Sequence, residues 1–320
     1  MWKKGPFIVY WNITAKCNMN CFHCHAYLYT RNELSTEECI KIVKMMKKNG
    51  VGLVIIAGGE PLLRDDIWKI LNELKENGLH TIIVTNGFYL EINTAQRLKN
   101  LGIREVQISI DSGVEEIHDS FRGCQGSYQK AMQAIRNCIA CGVMTSVNTV
   151  LVNENILEIE KLGYQLKAYN VNAWRITIPL PKGNGKTNYD QLVINNDILI
   201  SKINILLDKF DNIVIDDPLC VGLWGINDKL AKECGAAKIV GAIEANGDVK
   251  PCVFFENKYG NILVDNLETI WGNSEMESVR NMKPCNNQGT QCFGLENCKG
   301  GCKAYLQQNG NSLCIKSWGN

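Results

Sequence analysis

Short apolar runs alternate with amphipathic stretches from residue 7 to about residue 209. Residues 7–14 have the pattern of a buried strand, and Ser35 with Glu38 forms a capping box before a helix that runs to about Lys48. The strand-then-helix pattern occurs six times in this part of the chain. Six such units predict a parallel sheet with right-handed crossovers. Because a closed barrel needs eight units, the pattern predicts an α/β fold with a partial (β/α)6 TIM-like barrel.

The predicted boundaries follow the apolar runs and the turn residues between them. Strands are predicted over residues 7–14, 53–57, 81–85, 105–110, 143–151 and 174–178. Helices are predicted over residues 35–48, 66–76, 94–100, 127–141, 157–169 and 195–210. In a barrel of parallel strands, the active site is expected at the carboxyl ends of the strands.

The sequence changes character after residue 210. Gly, Asn and Cys become frequent, and helical periodicity fades. Asn246-Gly247 between two apolar runs predicts a hairpin over residues 242–254. A loop-rich segment with so little apolar material needs a metal to fold. We therefore expect two domains, a barrel over residues 1–210 and a small metal-binding domain over residues 211–320.

Charge is evenly balanced along the chain. The 34 Lys and Arg residues face 33 Asp and Glu residues, for a net charge of +1, and no basic cluster stands out. This balance argues against a nucleic-acid or anionic-membrane surface. The N-terminus lacks a signal-peptide pattern, and no apolar stretch is long enough to span a bilayer. The sequence therefore predicts a cytoplasmic protein.

Fifteen cysteines require an explanation. Disulfide scaffolds are mainly small and secreted, whereas cytosolic cysteine clusters more often bind metal. Three cysteines lie within residues 17–24 and seven within residues 234–314, which favours metal binding. Most of the others are interpreted as small apolar packing residues. These are Cys39, Cys124, Cys138 and Cys141.

Cys17, Cys21 and Cys24 follow the first predicted strand with the spacing C-x3-C-x2-C. Three thiolates hold three irons of a 4Fe–4S cube and leave the fourth iron without a protein ligand, open to chemistry. The alternative is a zinc site, for which only His23 or His25 has a suitable position as the fourth ligand. The spacing favours the iron–sulfur site.

Further candidate ligands follow the other predicted strands. Gly58 and Gly59 allow backbone to approach a ligand closely, and Glu60 can accept a hydrogen bond from an ammonium group. Ser109 and Arg122 can hold a carboxylate. An amino acid that chelates the free iron through its amine and carboxylate would need this set of partners.

With these motifs, residues 7–180 resemble the radical S-adenosylmethionine (radical SAM) family. The pairing of C-x3-C-x2-C with Gly-Gly-Glu-Pro at this distance carries the resemblance. It implies a 4Fe–4S cluster on Cys17, Cys21 and Cys24 whose fourth iron binds S-adenosylmethionine. One electron from such a cluster breaks a sulfonium C–S bond, and the resulting 5′-deoxyadenosyl radical abstracts hydrogen from a substrate.

The same resemblance implies which residues hold S-adenosylmethionine. Glu60 is expected to hold the methionyl ammonium, and Asn86, Ser109 and Arg122 are candidates around the ribose and the carboxylate. His118 is interpreted as a structural residue. The candidate cofactor-binding residues are Gly58, Gly59, Glu60, Pro61, Asn86, Ser109, Asp111 and Arg122.

Residues 211–320 resemble the SPASM extension of radical SAM enzymes. The spacings Gly-x4-Cys and Cys-x5-Cys-x3-Cys carry this resemblance, and it implies two auxiliary 4Fe–4S clusters with crossed ligation. The implied ligands of the outer cluster are Cys285, Cys292, Cys298 and Cys314. The implied ligands of the inner cluster are Cys234, Cys252 and Cys302.

Two departures from the SPASM pattern leave alternatives open. Six residues separate Cys285 from Cys292, where the family usually has two, and no extra cysteine follows soon after Cys234. The inner cluster therefore has an open iron or takes Cys220 as its fourth ligand. Cys220 could instead be a hydrogen-donating thiol near the substrate or a buried bystander. Paired zinc sites are a further alternative for the C-terminal thiolates.

Enzymes with these two segments modify peptides, proteins, peptide-derived cofactors or tetrapyrroles. Since only 16 residues precede Cys17, we expect no fused leader-peptide-binding domain. The leading hypothesis is a maturase that introduces a cross-link, an epimerisation or a decarboxylation into a ribosomally made peptide or small protein. Its expected partners are that substrate, a flavodoxin- or ferredoxin-type electron donor and a separate leader-peptide-binding protein.

Two alternatives come from other classes. Segments at Trp11 and Gln107 also look similar to tetrapyrrole-processing enzymes of the haem-biosynthesis type. Such an enzyme needs Arg and Lys side chains that face propionates. The second alternative is a non-catalytic iron–sulfur electron carrier. The Gly-Gly-Glu-Pro segment argues against it, because a carrier has no need of an amino-acid clamp.

Overall fold

The computed structural model describes residues 4–25, 32–215, 233–282 and 301–309. Its strands are β1 (Ile8–Thr14), β2 (Leu53–Gly58), β3 (His80–Thr85), β4 (Glu105–Ser109), β5 (Thr145–Val150), β6 (Ala173–Thr177), β7 (Ile213–Ile215), β8 (Val240–Ile243), β9 (Asp248–Lys250) and β10 (Gly260–Asn261). Its helices are α1 (Thr36–Lys48), α2 (Ile67–Glu76), α3 (Ile92–Asn100), α4 (Glu115–Arg122), α5 (Ser127–Ala140), α6 (Ile159–Tyr169), α7 (Asn184–Thr187), α8 (Tyr189–Leu192), α9 (Asn196–Lys209), α10 (Leu267–Trp271), α11 (Ser274–Asn281) and α12 (Lys303–Asn309).

Local sequence explains where the early helices begin and which face they bury. The Ser35 side chain accepts from the Glu38 N–H, and the Glu38 side chain accepts from the Ser35 N–H, so the predicted capping box before α1 is present. In α2, the buried residues recur at helical spacing and form one apolar stripe toward the sheet. They are Ile67, Ile70, Leu71 and Leu74.

The predicted partial barrel is confirmed. In the described part of the chain, strands β1 to β7 lie in sequence order and each pairs in parallel with the next. A helix follows each of the first six strands, and α1, α2, α5 and α6 pack against the sheet through buried apolar faces. The carboxyl ends of the strands therefore meet at one edge, as expected for a barrel of this kind.

The C-terminal segment extends the same sheet from the opposite edge. Strand β8 pairs in parallel with β1, β9 pairs antiparallel with β8, and β10 pairs antiparallel with β9. The predicted hairpin is present as β8 and β9, and Gly247 takes a φ of 85° in its turn. The pairing of β8 with β1 was not expected from sequence.

Helix α4 lies where the sequence pattern predicted a loop. Glu115 and Glu116 occupy its first turn, where carboxylates favour a helix, and Gly123 ends it with a φ of 61°. A side chain at position 123 would lie 2.7 Å from the Asn20 carbonyl oxygen. The prediction of a loop was wrong because this helix is only eight residues long and contains just two large apolar residues, Ile117 and Phe121.

The core lies between the sheet and the helices, with Trp11, Trp174 and Trp271 fully buried. Cys39 and Cys138 are also fully buried in it, as their interpretation as packing residues predicts. Cys141 packs against the core at its margin, and Cys124 is half-buried beyond the end of α4. Within the described residues, no helix has the length and apolar character needed to cross a membrane.

Candidate active site

A cavity opens at the carboxyl ends of the strands, where the sequence predicted the active site. Each of the first six strands or the residues directly after it contributes to its wall, and we call it the central cavity. Strand-end residues that line it include Ala57, Gly58, Val84, Ser109, Asn148 and Thr177. The loop after β1 forms the remaining wall together with residues 178–180 and Phe254.

The three thiols of the first cysteine motif all face the central cavity. The Asn86 amide nitrogen lies 4.0 Å from Cys17 Sγ, and an Arg122 guanidinium nitrogen lies 3.8 Å from Cys21 Sγ. Cys17 is exposed, whereas Cys21 is buried, and burial raises the pKa of Cys21 although Arg122 opposes the rise. These donors would favour thiolates that carry a metal cluster, since a hydrogen bond to the charged form stabilises it.

Glu60 is fully buried and joins the end of β2 to the end of β3. Its carboxylate accepts hydrogen bonds from the Leu62 N–H at 3.1 Å, the Thr85 hydroxyl at 2.8 Å and the Asn86 N–H at 2.8 Å. Desolvation nevertheless raises the pKa of Glu60 to about 7. Glu60 and Pro61 lie behind Gly59 and are not among the residues that line the central cavity.

Gly58 and Gly59 bring β2 against the backbone that enters the cysteine loop. The Gly59 N–H donates to the Thr14 carbonyl at 2.8 Å, and the Glu60 N–H donates to the Lys16 carbonyl at 2.8 Å. Gly58 has a φ of +133°, and a Cβ there would lie 2.4 Å from the Thr14 oxygen. A Cβ at Gly59 would lie 2.1 Å from the Lys16 oxygen. Only glycine fits this close approach.

Arg122 reaches the central cavity from the end of α4 and is held by Asp111. The Arg122 Nε donates to Asp111 Oδ2 at 2.6 Å, and Asp111 Oδ1 accepts from the Val150 N–H at 2.9 Å. Both side chains are buried. Arg122 lines the cavity, whereas Asp111 lies behind it. Asp111 therefore fixes the direction in which the guanidinium points.

His118 lies outside the cavity wall, under the same ion pair. Its Nδ1 accepts a hydrogen bond from the Asp111 N–H at 3.2 Å, and its ring is 1% exposed. Burial, with a further contribution from Arg122, lowers the pKa of His118 to about 4. The structure thus places His118 in a supporting position, as its interpretation as a structural residue predicts.

Asn86 and Ser109 both line the central cavity from neighbouring strand ends. The Asn86 Oδ1 accepts from the Phe88 N–H at 2.9 Å, and its Nδ2 donates to Asn18 Oδ1 at 2.8 Å. These bonds hold the amide between the turn after β3 and the cysteine loop. Ser109 ends β4 and is half-buried.

Sequence reasoning missed several residues of the cavity wall. Asn148 lies in β5, where Thr145, Ser146 and Thr149 are polar as well, so the sequence offered no distinct signal for it. His23, which sequence reasoning named only as an alternative zinc ligand, stacks on Phe121 with 4.6 Å between ring centroids, and its Nδ1 is buried without a hydrogen-bond partner among the described residues. Phe254 reaches the cavity from the C-terminal segment, which local pattern could not reveal.

Three of the predicted auxiliary ligands are described. Cys234 and Cys302 are buried in the core, and Cys252 packs against it after β9. Burial raises the pKa of Cys252 to about 12, and Cys234 lies near enough to contribute to that rise. The other predicted ligands lie outside the described residues; they are Cys220, Cys285, Cys292, Cys298 and Cys314.

This arrangement fits an iron–sulfur cluster with a bound amino-acid ligand. Three thiols that form no disulfide face one cavity, hydrogen-bond donors approach two of them, and the glycine cradle leaves backbone accessible beside them. Among residues that the structure describes, no three His, Cys, Asp or Glu side chains converge on a single ion.

Comparison with known sequences identifies the family. Residues 11–163 match the sequence profile of the radical SAM superfamily, and residues 234–302 match SPASM, described as an iron–sulfur cluster-binding domain. The chain carries a radical SAM domain over residues 11–163 and a SPASM segment over residues 234–302, which confirms the resemblance drawn from the motifs. It is an enzyme, and its cofactors are S-adenosylmethionine and 4Fe–4S clusters.

Similar proteins match nearly the whole chain. The mycofactocin maturase MftC of Mycobacterium tuberculosis (strain ATCC 25618 / H37Rv) is 29% identical over 312 residues, which cover 94% of this chain and 79% of MftC. The AdoMet-dependent heme synthase of Oleidesulfovibrio alaskensis is 26% identical over 322 residues, which cover 93% of this chain and 82% of that enzyme.

Solved structures share the fold. The structure of Streptococcus suis SuiB bound to the precursor peptide SuiA matches with a TM-score of 0.80 at 19% identity, and covers 96% of this chain and 74% of SuiB. The structure of anSMEcpe with bound AdoMet matches with a TM-score of 0.77 at 18% identity, and covers 97% of this chain and 93% of anSMEcpe.

Proposed function

We propose that this enzyme is a maturase that modifies a ribosomally made peptide or small protein in the central cavity. When bound, the cluster on residues 17–24 supplies the electron that splits S-adenosylmethionine into methionine and a 5′-deoxyadenosyl radical. The modification itself is a radical one, of the class that includes cross-links, epimerisations and decarboxylations. The radical SAM domain and the whole-length similarity to MftC support this proposal.

We assign the first cluster to Cys17, Cys21 and Cys24, which line the cavity together. Gly58 and Gly59 present backbone to the methionyl part of S-adenosylmethionine. Polar groups of S-adenosylmethionine are then surrounded from two strand ends and one helix end, by Asn86, Ser109 and Arg122, which all line the cavity. Pro61 begins the turn after Glu60 and fixes its backbone.

Glu60 and Asp111 lie behind the cavity wall, and we assign them supporting roles. Glu60 holds the Asn86 N–H and the Thr85 hydroxyl, so in place of the expected direct contact with the methionyl ammonium we assign it the role of holding Asn86, which lines the cavity. Asp111 aims the Arg122 guanidinium. The ion pair therefore sets where Arg122 can meet a carboxylate or a sulfur atom.

The observation that carries the peptide assignment is the charge of the cavity wall. Arg122 is the one Lys or Arg side chain among the described lining residues, and Asp111 already pairs with it. The remaining wall is neutral or apolar. A tetrapyrrole carries several propionates and would need further cations. A peptide backbone needs only hydrogen-bonding amides and hydroxyls, such as Asn148 and Thr177.

In the C-terminal segment we assign the inner auxiliary cluster to Cys234, Cys252 and Cys302. Cys220 is its proposed fourth ligand, with a role as a hydrogen donor to the substrate as the alternative. The proposed ligands of the outer auxiliary cluster are Cys285, Cys292, Cys298 and Cys314. A flavodoxin- or ferredoxin-type protein would deliver the electrons, and a separate protein would bring the leader part of the peptide.

The test measures 5′-deoxyadenosine after anaerobic reduction with S-adenosylmethionine. The proposal predicts that the wild-type enzyme releases it and that C17A/C21A/C24A releases none while it keeps about two-thirds of its iron, since two of three clusters remain. Cleavage that persists in the triple variant would refute the site assignment. Absence of cleavage in fully iron-loaded wild-type enzyme would instead support an electron carrier.

The substrate class is tested separately by mass spectrometry. The peptide assignment predicts a mass change in a short peptide encoded beside this gene and none in porphyrin precursors. Loss of mass from a porphyrin precursor would instead assign the enzyme to haem biosynthesis, the function for which some similar proteins are named.

A further inference from the structure

The segment after β6 lies between two cysteine-bearing loops. We call residues 182–188 the bridging segment and residues 252–255 the Cys252 loop. The bridging segment contains the short helix α7 and is not part of any predicted motif. It contacts the loop of residues 17–25 on one side and the Cys252 loop on the other.

On the first side, asparagines of the bridging segment hold the backbone of the cysteine motif. The Asn184 N–H donates to the Cys24 carbonyl at 2.8 Å, and the Asn184 side chain donates to the Cys21 carbonyl at 3.0 Å. The Asn188 side chain donates to the Phe22 carbonyl at 2.9 Å. Three carbonyls of the loop are thus tied to one short segment.

Glycine makes this close approach possible. Gly183 has a φ of +57°, and a Cβ there would lie 2.4 Å from the Cys24 oxygen. A Cβ at Gly185 would lie 3.2 Å from the His23 oxygen. The bridging segment therefore packs backbone to backbone against the cysteine loop.

On the second side, Lys182 reaches the Cys252 loop. The Lys182 Nζ donates to the Val253 carbonyl and, at 3.1 Å, to the Phe255 carbonyl. These carbonyls belong to the residues directly after Cys252. A ring contact of 5.1 Å between His25 and Phe254 joins the same two loops.

Lys182 is 2% exposed, and a charge buried so far needs compensation. Among the described residues no carboxylate forms an ion pair with its ammonium group: Glu244 pairs with Lys250 at 2.9 Å, although Glu244, Cys252 and Glu256 lie near enough to Lys182 to favour its charged form. Two carbonyl dipoles compensate a full charge only in part. The missing negative charge is supplied if the thiolate of Cys252 carries an iron–sulfur cluster beside it.

We propose that Lys182 is a positioning residue that ties the Cys252 loop to the cysteine motif of residues 17–24 and raises the reduction potential of the inner auxiliary cluster. This inference rests on the proposed assignment of Cys252 to that cluster. A fixed positive charge stabilises the reduced, more negative form of a cluster, so it raises the potential. The two carbonyl bonds of Lys182 hold the Cys252 loop against the bridging segment, and so against the loop that carries Cys17, Cys21 and Cys24.

The experiment is an anaerobic redox titration of the holoenzyme, followed by electron paramagnetic resonance, in three variants. K182M removes the charge and keeps the apolar stem, K182R keeps the charge, and K186M removes an exposed lysine of the same segment as the matched control. Iron content and the magnetic coupling between the two reduced clusters are measured on the same samples.

We expect K182M to shift the inner-cluster potential downward and to weaken the coupling between the two clusters. K182R should stay near the wild-type potential, and K186M should match the wild type in both readouts. If K182M loses the iron of the inner auxiliary cluster, K182R decides the question. A K182R variant that keeps this iron supports the role of the positive charge at position 182.

Two results overturn the proposal. One is an unchanged inner-cluster potential in iron-loaded K182M, and the other is a K182R variant that changes as much as K182M. Wild-type protein that holds no auxiliary iron would refute the cluster assignment itself. If the wild-type enzyme holds all its auxiliary iron and K182M has an unchanged inner-cluster potential, only the role of Lys182 is refuted.

Discussion

At the scale of single residues, buried polar groups position the groups that face the cavity. Glu60 holds three donors from the ends of two strands, and Asp111 holds Arg122. The sequence could identify both residues, because Glu60 lies in the Gly-Gly-Glu-Pro motif and Asp111 directly follows the fourth predicted strand. It could not show that Glu60 and Asp111 stand behind the wall, because depth in a site depends on packing between distant strands.

Replacing Glu60 with Gln should destabilise the protein. Glutamine would turn an N–H group toward at least one of the donors from Leu62, Thr85 and Asn86, and a buried donor left unpaired costs about 1–3 kcal/mol. Urea unfolding under anaerobic conditions measures the loss. The exposed Glu37 provides the control, since E37Q should change the free energy of unfolding by less than about 0.5 kcal/mol. Equal stability of E60Q and E37Q would contradict the buried role.

His118 should make the protein less stable in mild acid. Burial lowers its pKa to about 4, whereas an unfolded chain has a histidine pKa of about 6.5. As the pH falls below 6.5, His118 therefore takes up a proton in the unfolded state but not in the folded state. The free energy of unfolding decreases as a result. At pH 5.5 this histidine alone should cost about 1.2 kcal/mol relative to neutral pH.

The check compares H118N with the wild type in urea unfolding at pH 7.5 and pH 5.5. The difference between the two proteins isolates His118 from the other histidines, whose contributions are common to both. The variant should lose less stability than the wild type over this interval. An identical pH dependence in the two proteins would show that His118 is not held neutral by burial.

At the scale of elements, apolar periodicity predicted the strands and helices of the barrel closely. Strand β2 begins at Leu53, and α1 begins after Ser35, as the pattern indicated. Helix α4 was missed because it is only eight residues long and six of its residues are polar or charged. The bridging segment was missed as well, since its role depends on contacts with residues far away in sequence.

The close approach of β2 to the cysteine loop gives a prediction at this scale. In G58A the new Cβ would collide with the Thr14 carbonyl at a φ of +133°, so we expect a loss of about 3 kcal/mol or more and a loss of first-cluster iron. Gly50 also has a positive φ, +81°, but no atom lies within 4 Å of the position that a Cβ would take there. G50A should therefore cost only about 1–2 kcal/mol and keep its iron.

Iron analysis and urea unfolding of both variants decide this prediction. If G58A and G50A lose the same stability and G58A keeps the full iron content, the backbone contact between β2 and the cysteine loop has no part in forming the site.

At the scale of the whole molecule, the C-terminal segment completes the barrel sheet. Strand β8 covers the edge of β1, and Trp271 and Phe255 are fully buried in the same core as Trp11. The sequence indicated a loop-rich, metal-dependent segment, because cysteines and glycines dominate its composition. It could not indicate the pairing of β8 with β1, since a parallel pair between distant segments leaves no local pattern.

A chain that ends at residue 232 should therefore be insoluble or aggregated. Without β8, strand β1 becomes an exposed edge, and the apolar residues packed beside it meet water. Size-exclusion chromatography and circular dichroism of the truncated and full-length chains measure the effect. A soluble, monomeric truncated chain with native helical content would show that the barrel does not depend on the C-terminal strands.

The central claim is that the cluster on Cys17, Cys21 and Cys24 has an iron free to bind S-adenosylmethionine. Electron paramagnetic resonance of the anaerobically reconstituted and reduced enzyme tests it most directly. We expect added S-adenosylmethionine to change the signal of this cluster, and C17A/C21A/C24A to give no such change. An unaltered spectrum in fully loaded wild-type enzyme would show that no iron of this cluster is open to S-adenosylmethionine.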